Sequence, residues 1–386
     1  MNDPRAPRPH ADPGEVAARV KATVRPKIRA MAAYPVAKAV GMIKLDAMEN
    51  PYGLTGEARA AIAAAVANVR INRYPDGAGD ELKAALRRSL ALPDDVALLL
   101  GNGSDELLTM LTAVVAKPGA VVLAPDPSFV LYRTNAELAN LRFVGVPLAA
   151  DLTLDVDAML TAIARERPAL VWLAYPNNPT GTLFAAEDVE RIIRAAPGIV
   201  AVDEAYYAFA DASFLPRVLE FPNLIVVRTV SKIGMAGVRL GYAAAHPAWI
   251  AELDKVRPPY NVNALTQAAV PVLLAHGDLL AEQAAAIRRE RARVAAALAG
   301  LRRVAVFPSH ANFVLARVPD ADAWFATLKD AGILVKTVGG WHPLLATCLL
   351  ILAPFLSAVL WAVVICYSTW GLHERLLGWV GGRSAI

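Results

Sequence analysis

Between residues 96 and 245 short apolar runs alternate with segments of helical period, and this alternation restricts the fold more than any other feature of the chain. Runs at 96–100, 120–123, 141–146, 170–173, 199–202, 224–227 and 241–245 read as strands. Helical patterns at 105–116, 129–139, 155–165 and 186–194 lie between them. Strand and helix units at this spacing imply a mostly parallel sheet with helices on both faces. Such sheets bind ligands beyond the carboxyl ends of their strands, so the loops there are where chemistry is expected. Before this region, 56–69 and 81–90 read as helices around a turn at 72–77 (NRYPDG). After it, helices at 263–276 and 279–301 lead into short strands at 304–307, 311–317 and 333–335 around a helix at 321–331. This last part reads as a smaller α+β domain.

The loops carry the polar residues. Residues 101–106 (GNGSDE) follow the first strand: two glycines allow close backbone approach, and Ser104 opens a helix whose free N–H groups favour an anion. An ordinary serine cap explains the same residues. Residues 174–181 (AYPNNPTG) set two asparagines in a proline-bracketed turn. Residues 203–206 (DEAY) put Asp203 at the end of a buried apolar strand, where a carboxylate is costly without a cationic partner. Residues 228–239 (RTVSKIGMAGVR) offer Thr229, Ser231, Lys232 and Arg239. An amine beside hydroxyls and an arginine suits a phosphorylated carbonyl compound, with the phosphate gripped and the aldehyde condensed onto Lys232. A solvated surface loop is the alternative for this stretch alone.

Together and in this order, these motifs resemble the fold type I (class I/II) pyridoxal-phosphate-dependent aminotransferases, from about residue 25 to residue 349. They are most similar to the histidinol-phosphate aminotransferase group: LDAMENPYG (45–53), NRYPDG, GNGSDE, AYPNNPTG, VDEAYYAF (202–209), RTVSKIGMAGVRLGY (228–242) and PPYNVN (258–263) all look like that group. The resemblance implies a pyridoxal 5'-phosphate cofactor with Lys232 as its Schiff-base lysine, and Lys232, Asp203 and Tyr206 as catalytic residues. Asp203 would keep the ring nitrogen protonated; Tyr206 and Asn178 would bond the phenolic oxygen; Phe129 would stack on the ring. Gly103, Ser104, Thr229, Ser231 and Arg239 would hold the phosphate, and Asp105 would also be cofactor-binding. Tyr74 would reach the cofactor of a neighbouring subunit, which implies a homodimer. Tyr52, Asn312 and Lys336 would touch substrate. The implied reaction moves an amino group between histidinol phosphate and 2-oxoglutarate, forming glutamate. An aromatic aminotransferase, a phosphothreonine decarboxylase and an inactive or membrane-tethered cofactor-binding derivative are the alternatives.

On these readings the chain divides into a disordered N-terminus (1–24), an arm joining the small domain (25–53), a large cofactor-binding domain (54–262), an incomplete small domain (263–349) and an aberrant apolar tail (350–386). The tail begins where the family has an arginine for the substrate carboxylate; Leu350 stands there. From residue 337 to 373 there is no Asp, Glu, Lys or Arg. Both cysteines and four of the seven tryptophans fall within the last 46 residues. So abrupt a change is what a reading-frame shift near codon 350 produces. A membrane segment over 344–366 and a rearranged soluble domain are the rivals, since 23 apolar residues span a bilayer of ~30 Å.

Composition excludes several classes. A net charge of +4 with 19% charged residues gives no basic stripe for nucleic acid. Residues 1–347 hold no cysteine, which fits a reducing, cytoplasmic setting and no disulfide framework. No metal-ligand spacing and no secretory signal is read, and no G-x-G-x-x-G follows a strand.

Overall fold

The computed structural model describes residues 11–33, 37–340 and 342–352. The described residues up to Val40 form one unit and those from Gly41 onward another. In the first, Pro13–Thr23 is helical, which corrects the expectation of disorder over that stretch; residues 1–10 lie outside the described residues. Local signals favour this helix. Asp12 accepts the Glu15 N–H at 2.9 Å, Pro13 occupies the first turn, and Arg19 pairs with Glu15 one turn away at 2.8 Å. It buries no residue. A shorter helix follows at Pro26–Ala30.

The second unit opens on β1 (Ile43–Lys44). Its main sheet holds β2 (Ala97–Asn102), β3 (Val121–Asp126), β4 (Arg142–Pro147), β5 (Leu170–Ala174), β6 (Ile199–Asp203), β7 (Leu224–Thr229) and β8 (Leu240–Ala245). The strand order is β2-β8-β7-β6-β5-β3-β4, and β8 alone runs against its neighbours. Every residue of β5, β6 and β7 is buried. That is why these strands read as unbroken apolar runs rather than alternating ones: helices cover both faces of a parallel sheet. At the β4 edge the pattern relaxes and Arg142 is exposed.

The remaining strands are β9 (Ala305–Val306), β10 (Phe313–Arg317), β11 (Ile333–Leu334), β12 (Lys336–Thr337) and β13 (Cys348–Leu352). They form an antiparallel sheet of order β12-β13-β10-β9, while β11 pairs in parallel with β1. One hydrophobic cluster runs from Val200 and Tyr206 of the large sheet side to Phe313, Leu345 and Leu350. The expected small domain therefore shares its core with the larger part instead of standing apart.

The boundary at 349/350 and the membrane segment from residue 344 both need correction. β13 continues through 350 to Leu352, in register with β10 on one side (Leu315↔Leu350) and β12 on the other (Lys336↔Leu350). Cys348, Leu349 and Leu350 are wholly buried. A short apolar run reads alike as a buried central strand and as the start of a span. Here the partners supplied by β10 and β12 make residues 348–352 a strand. The rest of the apolar run and tail, from 353 on, lies outside the described residues. Among the described residues no single helix is long and apolar enough to cross a membrane.

Candidate active site

The polar residues of the loops meet because β2, β5, β6 and β7 all end on one edge of the sheet, where antiparallel β8 begins. Asp203, the last residue of β6, is only 5% exposed. Its Oδ2 accepts the Tyr132 hydroxyl at 2.8 Å and its Oδ1 the Ala205 N–H at 3.1 Å. Burial pushes its carboxyl up to about 6, against the pull of both hydrogen bonds. Tyr132 is itself fixed, its ring stacked on Trp172 of β5 at 4.8 Å and edge-on to Phe129 at 5.7 Å. Asn178 donates its amide N–H to the Tyr206 hydroxyl at 3.2 Å, and its Oδ1 is buried without a hydrogen-bond partner.

Lys232 follows β7 in a single 3₁₀ turn, Ser231–Ile233. Its Nζ donates to the Ala47 carbonyl at 3.0 Å and lies 5.8 Å from the centre of the Tyr206 ring. Burial lowers the amine to about 8; Lys336 and Arg239 act in the same sense, while Asp105 and Glu49 oppose them. Thr229 Oγ1 sits 2.9 Å from Ser231 Oγ and accepts the Ser231 N–H at 3.1 Å.

The turn after β2 closes the cluster. Gly103 has φ +80°, and a Cβ there would stand 2.5 Å from Arg239 Nη2. Only glycine lets that guanidinium lie against the backbone. Gly241 likewise leaves room for the Ser104 N–H, which a Cβ would approach to 2.5 Å. The helix Ser104–Val114 thus presents its N-terminus beside Arg239, a donor set matched to an anion. Asp105 faces Arg239 at 3.7 Å, with both side chains about half exposed.

The expected substrate residues and Tyr74 are placed differently. Asn312 is fully buried, and its amide donates to the Met48 carbonyl at 2.9 Å. Lys336, part-buried in β12, acts on Lys232 through its charge. Tyr52 is exposed, its N–H bonded to Asn50 Oδ1 at 2.9 Å. Tyr74 is 80% exposed and stacks on Tyr260 at 4.6 Å. Both rings line a surface cavity of about 430 Å³ with Ile71, Pro259 and Leu265.

Sequence reasoning missed three features. Tyr132 is one helical turn beyond Phe129, a spacing that puts both on one face. Glu204 is fully buried and paired with Arg228 of β7 at 2.7 Å, and it accepts from Ser213 Oγ at 2.9 Å and Phe214 N at 2.5 Å. Arg228 lies 3.8 Å over the Tyr207 ring. Adjacent acids at a strand end hinted at this ion pair. The Ala47 carbonyl left no side-chain signal at all.

Known proteins resemble this chain in sequence and fold. The family model "Aminotransferase class I and II" matches residues 40–342. The histidinol-phosphate aminotransferase of Chromobacterium violaceum is 57% identical over 330 residues, 86% of this chain and 93% of that protein. Histidinol-phosphate aminotransferase 1 of Ralstonia nicotianae is 56% identical over 331 residues, 84% and 88% of the two chains. Among solved structures, histidinol-phosphate aminotransferase from Sinorhizobium meliloti in complex with pyridoxal-5'-phosphate is 28% identical, with a TM-score of 0.79 over 91% of this chain and 98% of that one. On the strength of the matched region, the relatives and the shared fold, the chain belongs to the class I and II aminotransferases.

Proposed function

We propose that this protein reversibly exchanges an amino group between histidinol phosphate and 2-oxoglutarate in histidine biosynthesis, using pyridoxal 5'-phosphate. The observation that carries the reading is the gathering of Lys232, Asn178, Asp203 and Tyr206 around the sheet edge in a chain 57% identical to a histidinol-phosphate aminotransferase. The residues suit the cofactor: Gly103 and Arg239 leave an anion cradle that a Cβ would fill, Asn178 keeps an unpaired buried oxygen, and a buried acid lacks a cation. Lys232, Asp203 and Tyr206 are the catalytic residues of this reading. Gly103, Ser104, Asp105, Thr229, Ser231 and Arg239 take the phosphate side; Asn178, Tyr206 and Phe129 take the ring. When bound, pyridoxal phosphate supplies an aldehyde that takes up amines covalently and a ring that withdraws electrons from the carbon they carry.

The chain's own groups then have separate tasks. Asp203 would hold a proton at the ring nitrogen, and a cation beside it would draw its carboxyl below the value of about 6 that burial sustains against its two hydrogen bonds. Lys232, lowered to about 8, offers a larger neutral fraction near pH 7 than an ordinary lysine, and its Nζ is the group that can move a proton at the substrate carbon. Tyr52 and Lys336 lie on the substrate side. Tyr74, exposed beside Tyr260, reaches across a homodimer to the partner's cofactor. The setting is cytoplasmic. Leu350 stands where an arginine is expected for the glutamate carboxylate, so glutamate-linked turnover by this chain is low or absent.

The test is glutamate formation from histidinol phosphate and 2-oxoglutarate by the purified full chain, beside the Chromobacterium enzyme. Glutamate formed at a lower rate than by that enzyme is expected. Reaction with aromatic amino acids but not histidinol phosphate, or carbon dioxide release from phosphothreonine, would transfer the assignment to a rival.

A further inference from the structure

We propose that Asn312 is a positioning residue for Lys232, acting through the backbone of Met48 and Ala47. Met48 has φ +51°, a left-handed conformation that is unfavourable for a non-glycine residue and persists only where its surroundings impose it. Met48 is 4% exposed, and its carbonyl accepts the Asn312 amide at 2.9 Å. A carbonyl cannot donate, so the NH₂ end of the Asn312 amide must face it. The residue before Met48 then turns its carbonyl to Lys232 Nζ at 3.0 Å. Asn312 is itself enclosed: it is fully buried, and the next residue, Phe313, packs edge-on against Tyr206 at 5.2 Å. Downstream, Asn50 is tied to Gln283 at 2.9 Å and Gln283 to the Gly53 carbonyl at 3.1 Å, which pins the other side of the same turn. Asn312 therefore clamps a strained turn whose purpose is to aim one carbonyl at the lysine amine. Its amide nitrogen is the strut, while its Oδ1 is buried without a hydrogen-bond partner.

The inference rests on the reading that Lys232 takes the cofactor, and its test separates the two. The full chain, freed of cofactor, is mixed with pyridoxal phosphate; the adduct is reduced with borohydride at set times and located by peptide mass spectrometry. Asn312→Ala should slow labelling of Lys232 about tenfold through loss of one buried hydrogen bond and its clamp. Met48→Gly should restore most of the rate in that background, because glycine holds positive φ without a clamp. A residue that merely filled the core would not be rescued by glycine at position 48. Equal labelling rates in wild type and Asn312→Ala, or no rescue by Met48→Gly, would overturn the inference while leaving Lys232 assigned. If Asn312→Ala does not fold alone, Met48→Gly and Met48→Gly/Asn312→Ala carry the comparison. Equal rates in those two support the clamp, and a double variant that does not fold contradicts it. No label on Lys232 in wild type would instead remove the functional reading itself.

Discussion

At the scale of single residues, burial sets the chemistry of the site in two opposite directions. It lowers the Lys232 amine to about 8 and raises the Asp203 carboxyl to about 6. An amine attacks an aldehyde only when neutral, so the rate of pyridoxal phosphate capture should climb with pH and level off above about 8. Stopped-flow absorbance across that range checks this; a rate still rising steeply at about pH 10 would describe an ordinary lysine. Asp203 depends on Tyr132, whose hydroxyl at 2.8 Å favours the charged carboxylate. Removing it in Tyr132→Phe moves Asp203 further up and lowers its charged fraction near neutral pH. Cofactor affinity by titration should fall about tenfold at pH 7, and the deficit should shrink at higher pH, where the carboxyl ionises regardless.

At the scale of elements, the ends of β6 and β7 are locked together by the buried Glu204–Arg228 pair directly beside Asp203 and Thr229. Arg228→Met leaves Glu204 charged and unpaired, a loss of about 3–5 kcal/mol, whereas Glu204→Gln/Arg228→Met should recover part of it. Denaturant unfolding of the two variants distinguishes these outcomes. The pair also marks what was legible in the sequence. The strands were readable because β5, β6 and β7 are buried on both faces, and Asp203, Asn178 and Lys232 because polar residues at such strand ends demand partners. Glu204 and Arg228 are 24 residues apart and meet only through the register of two parallel strands. Ala47 acts through a carbonyl that every residue possesses. Asn312 carried a polar side chain that reads as a substrate contact, and its amide nitrogen also bonds the Met48 carbonyl, which no sequence pattern announces.

At the scale of the whole molecule, the described start of the apolar segment that opens at Leu344 is placed by its neighbours. Residues 348–352 sit between β10 and β12, although composition alone allowed a membrane span. Leu349, fully buried and in register with Ala316 and Thr337, is the place to test this. Leu349→Asp buries an unpaired carboxylate and should lower unfolding stability by several kcal/mol in denaturant titration. Unchanged stability would mean that the strand is not part of the core. Everything else turns on Lys232, since the sheet edge, the anion cradle and the clamp on the 47–48 turn all converge on its amine. The decisive measurement is peptide mass spectrometry of the full chain after pyridoxal phosphate and borohydride. One cofactor mass on the peptide containing Lys232, absent in Lys232→Ala, is expected. Label scattered over exposed lysines with Lys232 unmodified would contradict the assignment.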